Sequence, residues 1–186
     1  MSNPTPSASP KLALIAQKQA PDALAVARAK ARKITWMFFD VDGVMTDGGL
    51  FYNAEGESLK RFNVLDGHGL KALKSVGIRL GLISGRSHPA TAARAAELGF
   101  DVVVQGDSEK GAVFDRIAES MQLDPSLCGH MGDDTPDLQV FSRVGFAAAV
   151  SNAVPSVIQA AHWVSTCAGG DGAVRECCEF ILESRT

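Results

Sequence analysis

The feature that most constrains the fold of this chain is a regular alternation between short apolar runs and segments of helical composition. It runs from residue 66 to the carboxyl end. Predicted helices occupy 67–76, 88–98, 109–121, 135–142, 154–160 and 172–184, and predicted strands occupy 78–83, 101–104, 128–131, 144–148 and 162–165. Gly77 and Gly99 stand where left-handed residues commonly end helices. This pattern is typical of right-handed βαβ units, so we expect an α/β fold with a doubly wound parallel sheet in a Rossmann-like three-layer sandwich.

A further apolar run precedes this alternation and ends in two carboxylates. Residues Ile34 to Phe39 have the aromatic and β-branched character of a buried strand, and Asp40 and Asp42 follow directly. The carboxyl ends of strands are where open α/β sheets bind their ligands. Two carboxylates so close repel each other unless a cation holds them or one stays protonated. The pair therefore predicts a metal site with acid–base chemistry beside it.

Two short β-type runs follow this first strand. They are Leu50–Tyr52 and Leu59–Val64, and residues 53–57 between them have the composition of a turn. We therefore expect a β-hairpin insert within a flap at 46–64. About twenty residues are enough for a hairpin but leave no room for a separate cap domain.

The amino-terminal part of the chain differs in composition from the rest. Residues 1–10 are rich in Ser, Pro and Asn and are predicted to be a disordered tail. Residues 11–33 are Ala-rich and predict a helical arm, with a new helix starting near Pro21. Residues 34–186 then form a single domain.

Composition excludes several classes of protein. The 186 residues carry a net charge of −3, which argues against a general nucleic-acid binder. No apolar segment approaches the roughly 18 residues needed to span a membrane, and the amino terminus lacks the layout of a signal peptide. The four cysteines show neither a CxxC pair nor zinc spacing, so we expect reduced thiols and a cytoplasmic protein.

Polar groups follow four of the predicted strands. Beside Asp40 and Asp42, these are Ser84-Gly85-Arg86, the stretch from Gln105 to Lys110, and Gly132-Asp133-Asp134. Because the loops that follow parallel strands share one edge of the sheet, we expect one cleft to gather them. Paired carboxylates, a hydroxyl and a fixed cation suit phosphoryl transfer, which depends on positioning and charge neutralisation.

These four loops resemble the motifs of the haloacid dehalogenase superfamily of phosphohydrolases. The motif DxDx[TV] corresponds to Asp40–Val44, the strand-ending hydroxyl to Ser84 and the helix-opening lysine to Lys110. The fourth motif corresponds to Gly132-Asp133-Asp134 with Asp137 three residues further on. All four occur in the order that the superfamily requires.

The resemblance implies a role for each residue. Asp40 would attack phosphorus and form an aspartyl-phosphate, and Asp42 would act as general acid and base. Ser84, the Gly85 N–H and Arg86 would hold the phosphate group and substrate, and Lys110 would neutralise charge. The resemblance further implies a Mg²⁺ ion held by Asp40, the backbone carbonyl of Asp42 and Asp133. Asp134 and Asp137 would not bind the ion directly but would surround and orient the groups that do.

Three further stretches narrow the resemblance. Thr46–Tyr52, Lys60–Gly69 and Ala168–Glu176 resemble the 3-deoxy-D-manno-octulosonate 8-phosphate phosphatases, which lack a cap domain. This similarity implies Mg²⁺-dependent hydrolysis of that phosphate in lipopolysaccharide precursor synthesis. It also implies a homotetramer in which the hairpin lies at the subunit contact.

Two positions leave the exact substrate open. Some members of that family have a basic residue where Leu65 stands, and others where Asp171 stands. Phosphatases of 9-carbon ketoacid 9-phosphates carry an acidic residue at the latter position in some cases, so such a sugar is an alternative substrate. A non-catalytic scaffold of the same fold is a second alternative.

Other interpretations of these motifs have less support. An EF-hand starting at Asp40 would need Gly at its sixth position and Glu at its twelfth, where Met45 and Phe51 stand. The stretch 67–72 fits G-x-G-x-x-A of a nucleotide-binding oxidoreductase, but such a lone match is weak and the preceding Leu65-Asp66 is a poor strand end. His130 and His162 are predicted to be core residues, and the histidines lack the spacing of metal ligands.

Overall fold

The computed structural model describes residues 10–186, and these form one parallel sheet flanked by helices. The helices are α1 (Pro10–Lys18), α2 (Pro21–Ala31), α3 (Val64–Ser75), α4 (Pro89–Leu98), α5 (Lys110–Ser120), α6 (Leu138–Phe141), α7 (Pro155–Ala160) and α8 (Ala173–Glu183). The strands are β1 (Trp36–Phe39), β2 (Phe51–Asn53), β3 (Gly56–Leu59), β4 (Arg79–Ser84), β5 (Val102–Gln105), β6 (Cys128–Gly132), β7 (Phe146–Ala149) and β8 (Trp163–Val164). Short 3₁₀ turns lie at Pro125–Leu127 and Thr135–Asp137. Within 10–186, no helix is long and apolar enough to cross a membrane.

The strand order places the ends of β1 and β6 side by side. The large sheet has the order β5-β4-β1-β6-β7-β8, and its paired strands are parallel. From β1 the chain moves outward through β4 and β5, then returns to β6 and moves outward on the other side. The loops after β1 and β6 therefore diverge, which opens a crevice between them. This topology confirms the predicted α/β fold class.

The alternation of side chains along β1 divides the core into two layers. Met37 and Phe39 belong to a large apolar cluster that includes residues of α3 and α8. Trp36 and Phe38 belong to a second cluster that includes residues of α5 and α6. Because successive side chains of a strand point to opposite faces, helices cover both faces of the sheet. This arrangement is the predicted three-layer sandwich.

The amino-terminal arm consists of two helices and lies against the β8 edge of the sheet. The first helix begins at Pro10, inside the predicted tail, while residues 1–9 lie outside the described residues. Lys18 Nζ donates to the carbonyl of Gln159 at 2.8 Å, and Gln19 Nε2 donates to the carbonyl of Val164 in β8. The arm thus pairs with backbone groups at and beside an edge strand.

The hairpin differs from its predicted register. Its second strand was predicted at 59–64, but β3 spans Gly56–Leu59, because Asn53 pairs directly with Gly56 across a two-residue turn. Residues after Leu59 connect to α3 instead. The side chain of Asn63 accepts a hydrogen bond from the Leu65 N–H at 2.9 Å and caps this helix. Helix α3 therefore starts at Val64 rather than at residue 67.

The segment after β6 is organised by Asp137, whose side chain is fully buried. Its Oδ2 accepts the backbone N–H groups of Asp133 at 3.0 Å and Asp134 at 3.2 Å. Its Oδ1 accepts Lys110 Nζ at 2.7 Å and His130 Nε2 at 2.9 Å. These bonds shape a 3₁₀ turn at Thr135–Asp137, so the predicted helix 135–142 is wrong and α6 covers only Leu138–Phe141.

Replacing Asp137 with Asn is predicted to destabilise the protein strongly. Burial opposes ionisation of Asp137, but hydrogen bonds from His130 and Lys110 outweigh it and lower the pKa of this carboxyl. The NH2 group of Asn would face either Lys110 and His130 or the backbone N–H groups of Asp133 and Asp134, which are all donors. Breaking a buried pair costs about 3–5 kcal/mol. Urea unfolding measures the loss. Asp115→Asn is the matched control, because it removes an exposed partner of Arg143 and should cost about 1 kcal/mol or less. Equal losses in both variants would contradict the buried role of Asp137.

Candidate active site

The four predicted loops meet around one cavity of about 180 Å³ at the carboxyl edge of the sheet. It is lined by nine residues: Asp40, Asp42, Ser84, Gly85, Arg86, Lys110, Asp133, Asp134 and Pro136. Every residue predicted for catalysis, substrate or metal is among them. Asp137 was predicted to stand behind the metal ligands, and it is buried next to Lys110. The structure thus brings the predicted residues together, while their individual roles stay predictions.

Lys110 is the fixed cation of this site. It is the first residue of α5 and is buried, and its Nζ lies 2.9 Å from Asp40 Oδ1 and 2.7 Å from Asp137 Oδ1. Burial disfavours the ammonium, but Asp40 and Asp137 outweigh this effect and raise the pKa of Lys110. The lysine therefore holds a positive charge beside the predicted nucleophile.

The carboxylates around Lys110 carry more negative charge than this lysine balances. Oxygen atoms of Asp40, Asp133 and Asp137 all lie within 4.8 Å of one another. Burial, followed by the charge of Asp137, raises the pKa of Asp40 well above its usual range and that of Asp133 to about 7. Two of the three carboxylates are thus costly to ionise unless a further cation lies between them.

The local geometry fits a divalent cation held by Asp40 and Asp133. Both oxygens of Asp137 are already hydrogen bonded, whereas Asp133 Oδ1 is buried without a hydrogen-bond partner. Gly43 adopts a φ of +92°, and a Cβ atom there would lie only 2.1 Å from Asp133 Oδ2. A glycine is therefore required for Asp133 to approach the end of β1. Buried carboxylate oxygens with free acceptor capacity are the ligands that Mg²⁺ prefers.

Ser84 and Gly85 provide the opposite wall of the cavity. Ser84 is buried at the end of β4, and its Oγ lies 3.3 Å from the backbone nitrogen of Arg86. Gly85 is exposed, and a Cβ atom built there would make only an ordinary van der Waals contact, with Ser108 Cα at 3.7 Å. A hydroxyl and accessible backbone next to Lys110 form a suitable surface for an anionic group.

The side chain of Asp42 belongs to a second charged network that the sequence did not reveal. Lys60 Nζ forms ion pairs with Asp42 Oδ1 and with Glu57 Oε1, the latter at 2.8 Å. Arg86 Nη2 lies 2.8 Å from Glu57 Oε2, and its Nε is 3.8 Å from Asp42 Oδ2. The available signal was an oppositely charged pair, Glu57 and Lys60, three residues apart at the end of an otherwise exposed hairpin.

Several other predicted positions lie outside the cavity. Asp171 pairs with Arg61 at 3.0 Å, and Leu65 is exposed on the first turn of α3. His130 is fully buried, as predicted, and His162 is partly buried, with its Nδ1 accepting the Ala147 N–H. These residues do not contribute to the charged lining of the cavity.

Comparison with known proteins shows the family of this chain. A profile of haloacid dehalogenase-like hydrolases matches residues 100–176. The 3-deoxy-D-manno-octulosonate 8-phosphate phosphatase KdsC of Escherichia coli K12 is 39% identical over 154 residues, which cover 83% of this chain and 82% of that protein.

Solved structures show the same relationship. The 3-deoxy-D-manno-octulosonate 8-phosphate phosphatase of Moraxella catarrhalis, crystallised with magnesium, phosphate and KDO, is 39% identical with a TM-score of 0.83, covering 86% of this chain and 91% of its own. The enzyme of the same name from Yersinia pestis is 37% identical, also with a TM-score of 0.83, and the match covers 86% of each chain. The chain therefore belongs to the 3-deoxy-D-manno-octulosonate 8-phosphate phosphatase family of the haloacid dehalogenase-like hydrolases.

Proposed function

We propose that this chain is a Mg²⁺-dependent phosphomonoesterase that hydrolyses 3-deoxy-D-manno-octulosonate 8-phosphate in lipopolysaccharide precursor synthesis. The observation that carries this proposal is the cluster of Asp40, Lys110 and Asp133 in one small cavity beside Ser84. The named activity of the relatives from Escherichia coli and Moraxella catarrhalis supports the substrate.

In the proposed reaction, Asp40 and Asp42 have different tasks. A carboxylate oxygen of Asp40 attacks phosphorus, the bond from phosphorus to the sugar oxygen breaks, and an aspartyl-phosphate forms. Asp42 gives its proton to the departing sugar oxygen and later takes a proton from the attacking water. This second attack breaks the aspartyl-phosphate bond, releases phosphate and regenerates Asp40.

The remaining side chains hold the phosphate and balance its charge. Ser84 and the Gly85 N–H bind phosphate oxygens, and Lys110 stabilises the negative charge shared by Asp40 and the phosphoryl group. When bound by Asp40, Asp133 and the backbone carbonyl of Asp42, Mg²⁺ supplies additional charge neutralisation. Asp137 keeps Lys110 and the loop of Asp133 in place through four hydrogen bonds.

A 9-carbon ketoacid 9-phosphate is the second candidate substrate. It is favoured by the acidic Asp171, which binds Arg61 near the entry to α8. A non-catalytic scaffold is disfavoured, because Asp40, Asp42, Ser84, Lys110 and Asp133 all remain in the cavity lining.

The proposed assembly is a homotetramer in the cytoplasm, with the hairpin at the subunit contact. Leu50, Phe51, Tyr52 and Leu59 are all at least 46% exposed on this hairpin. An apolar two-stranded ribbon of this kind is an aggregation hazard unless another surface covers it. The four cysteines are unpaired, as suits a reducing compartment.

A panel of phosphomonoesters with Mg²⁺ tests the proposed reaction. We expect hydrolysis of 3-deoxy-D-manno-octulosonate 8-phosphate with a higher kcat/KM than of the 9-carbon ketoacid 9-phosphate. Asp40→Asn should reduce turnover to background because it removes the nucleophile, while far-UV circular dichroism and oligomer size stay unchanged. Substantial turnover by this variant would refute the nucleophile assignment. Preference for the 9-carbon compound would favour the second candidate, and no hydrolysis of any ester would favour the scaffold.

Mg²⁺ is predicted to stabilise the folded protein through Asp133. At 100 times Kd, a ligand that binds only the native state adds about 2.7 kcal/mol, so Tm should rise by several degrees. Asp133→Asn should abolish most of this rise, since it removes a buried ligand oxygen, whereas Asp115→Asn should retain it. Differential scanning calorimetry with and without Mg²⁺ measures both. A full rise in Asp133→Asn would place the ion elsewhere.

A further inference from the structure

The side chain of Lys60 is far more buried than its place in the chain would suggest. It is only 2% exposed, although its neighbours Leu59 and Arg61 are exposed and the hairpin is a separate two-stranded sheet. Its ammonium lies between two carboxylates, those of Asp42 and Glu57. Burying an ammonium is costly unless well-placed partners compensate. The position of Lys60 therefore depends on its ion pairs with Asp42 and Glu57.

The two oxygens of Asp42 are distinguished by this contact. Oδ1 is occupied by Lys60, whereas Oδ2 is buried and has no hydrogen-bond partner among the described residues. The Arg86 Nε lies 3.8 Å from Oδ2. Oδ2 is therefore the oxygen with free capacity to carry a proton.

Glu57 fixes this arrangement from the hairpin. Its Oε1 pairs with Lys60 and its Oε2 with Arg86, so one carboxylate of β3 orders both residues that flank Asp42. The Lys60 ammonium is thereby held between the carboxylates of Glu57 and Asp42. The seating of the hairpin and the orientation of Asp42 are linked through these two ion pairs.

We propose that Lys60, held by Glu57, is a positioning residue that orients Asp42 so that Oδ2 exchanges the proton with the substrate oxygen. This inference rests on the proposed function, in which Asp42 is the general acid and base. Lys60 itself is not among the residues that line the cavity. Lys60 should therefore increase kcat/KM for substrates whose leaving oxygen needs a proton, and should have little effect on kcat/KM for substrates whose leaving oxygen does not.

Leaving-group basicity separates this role from a structural one. A sugar alkoxide departs only with a proton, whereas a nitrophenolate departs readily without one. General acid catalysis contributes about 10²–10⁴-fold to such a step. The value of kcat/KM depends only on the steps up to release of the alcohol. The later step, in which Asp42 takes a proton from water, therefore does not affect kcat/KM for the aryl ester.

The experiment compares Lys60→Met with wild type on 3-deoxy-D-manno-octulosonate 8-phosphate and on 4-nitrophenyl phosphate, both with Mg²⁺. For the sugar phosphate we expect kcat/KM to fall by about 10²-fold, and for the aryl phosphate by less than about threefold. Inhibition by inorganic phosphate should not change, because the phosphate contacts are intact. Lys60→Arg should restore part of the activity on the sugar phosphate.

Two further variants complete the test. Lys74→Met is the matched control: it removes another lysine, which pairs with Asp101 away from the cavity, and should leave both activities near wild type. Glu57→Gln should show the same selective loss as Lys60→Met, to a smaller extent. It also carries the test if Lys60→Met fails to fold, as judged by circular dichroism.

Equal losses on the two substrates, no loss on either, or weaker inhibition by phosphate would each overturn the proposal. Failure of the proposed function is a distinct result, since wild-type protein would then leave the sugar phosphate intact. Failure of the positioning role would appear only in the variants of an active enzyme.

Discussion

The site depends on the burial of one lysine among three carboxylates at the end of the sheet. Lys110 is paired with Asp40 and Asp137, and Asp133 lies close by with an unpartnered oxygen. If all four groups are ionised, the cluster carries two more negative charges than positive ones. Desolvated charges of one sign are tolerated only where fixed donors or a cation balance them. The excess charge explains both the fit to a divalent ion and the dense hydrogen bonding of Asp137.

The excess negative charge of this cluster separates the two members of each neighbouring aspartate pair. Asp40 belongs to the buried cluster, while the side chain of Asp42, two residues later, turns to Lys60 and Arg86. A similar division holds after β6, where Asp133 belongs to the cluster and Asp134 caps the following turn. In each pair one carboxylate is committed to the electrostatic centre. The other is free for a second task, which for Asp42 is proton transfer in the proposed reaction.

Much of this arrangement was predictable from the sequence, for a physical reason. The alternation of strands and helices predicts a parallel sheet, and a parallel sheet brings the residues after β1, β4 and β6 to one edge. The contacts of the hairpin were not predictable in this way. Its strands are short and exposed, so no buried face specifies their register, and the predicted second strand was misplaced by several residues. The pairing of Glu57 and Lys60 with Arg86 and Asp42 depends on how the hairpin folds back, which no local pattern encodes.

The size of the cavity bears on the proposed assembly. A volume of about 180 Å³ is below the range of about 300–1,000 Å³ typical of small-molecule sites. It suits a phosphate group and the oxygen that leaves it, whereas an eight-carbon sugar acid extends beyond it. The sugar therefore needs a surface outside the lining of this cavity. In the proposed tetramer, the exposed apolar hairpins would bring a second copy of the chain to this opening, so substrate size and hairpin exposure both support an oligomer. Specificity for the sugar would then depend on residues at a subunit contact, while the phosphate chemistry depends on the buried cluster of a single chain.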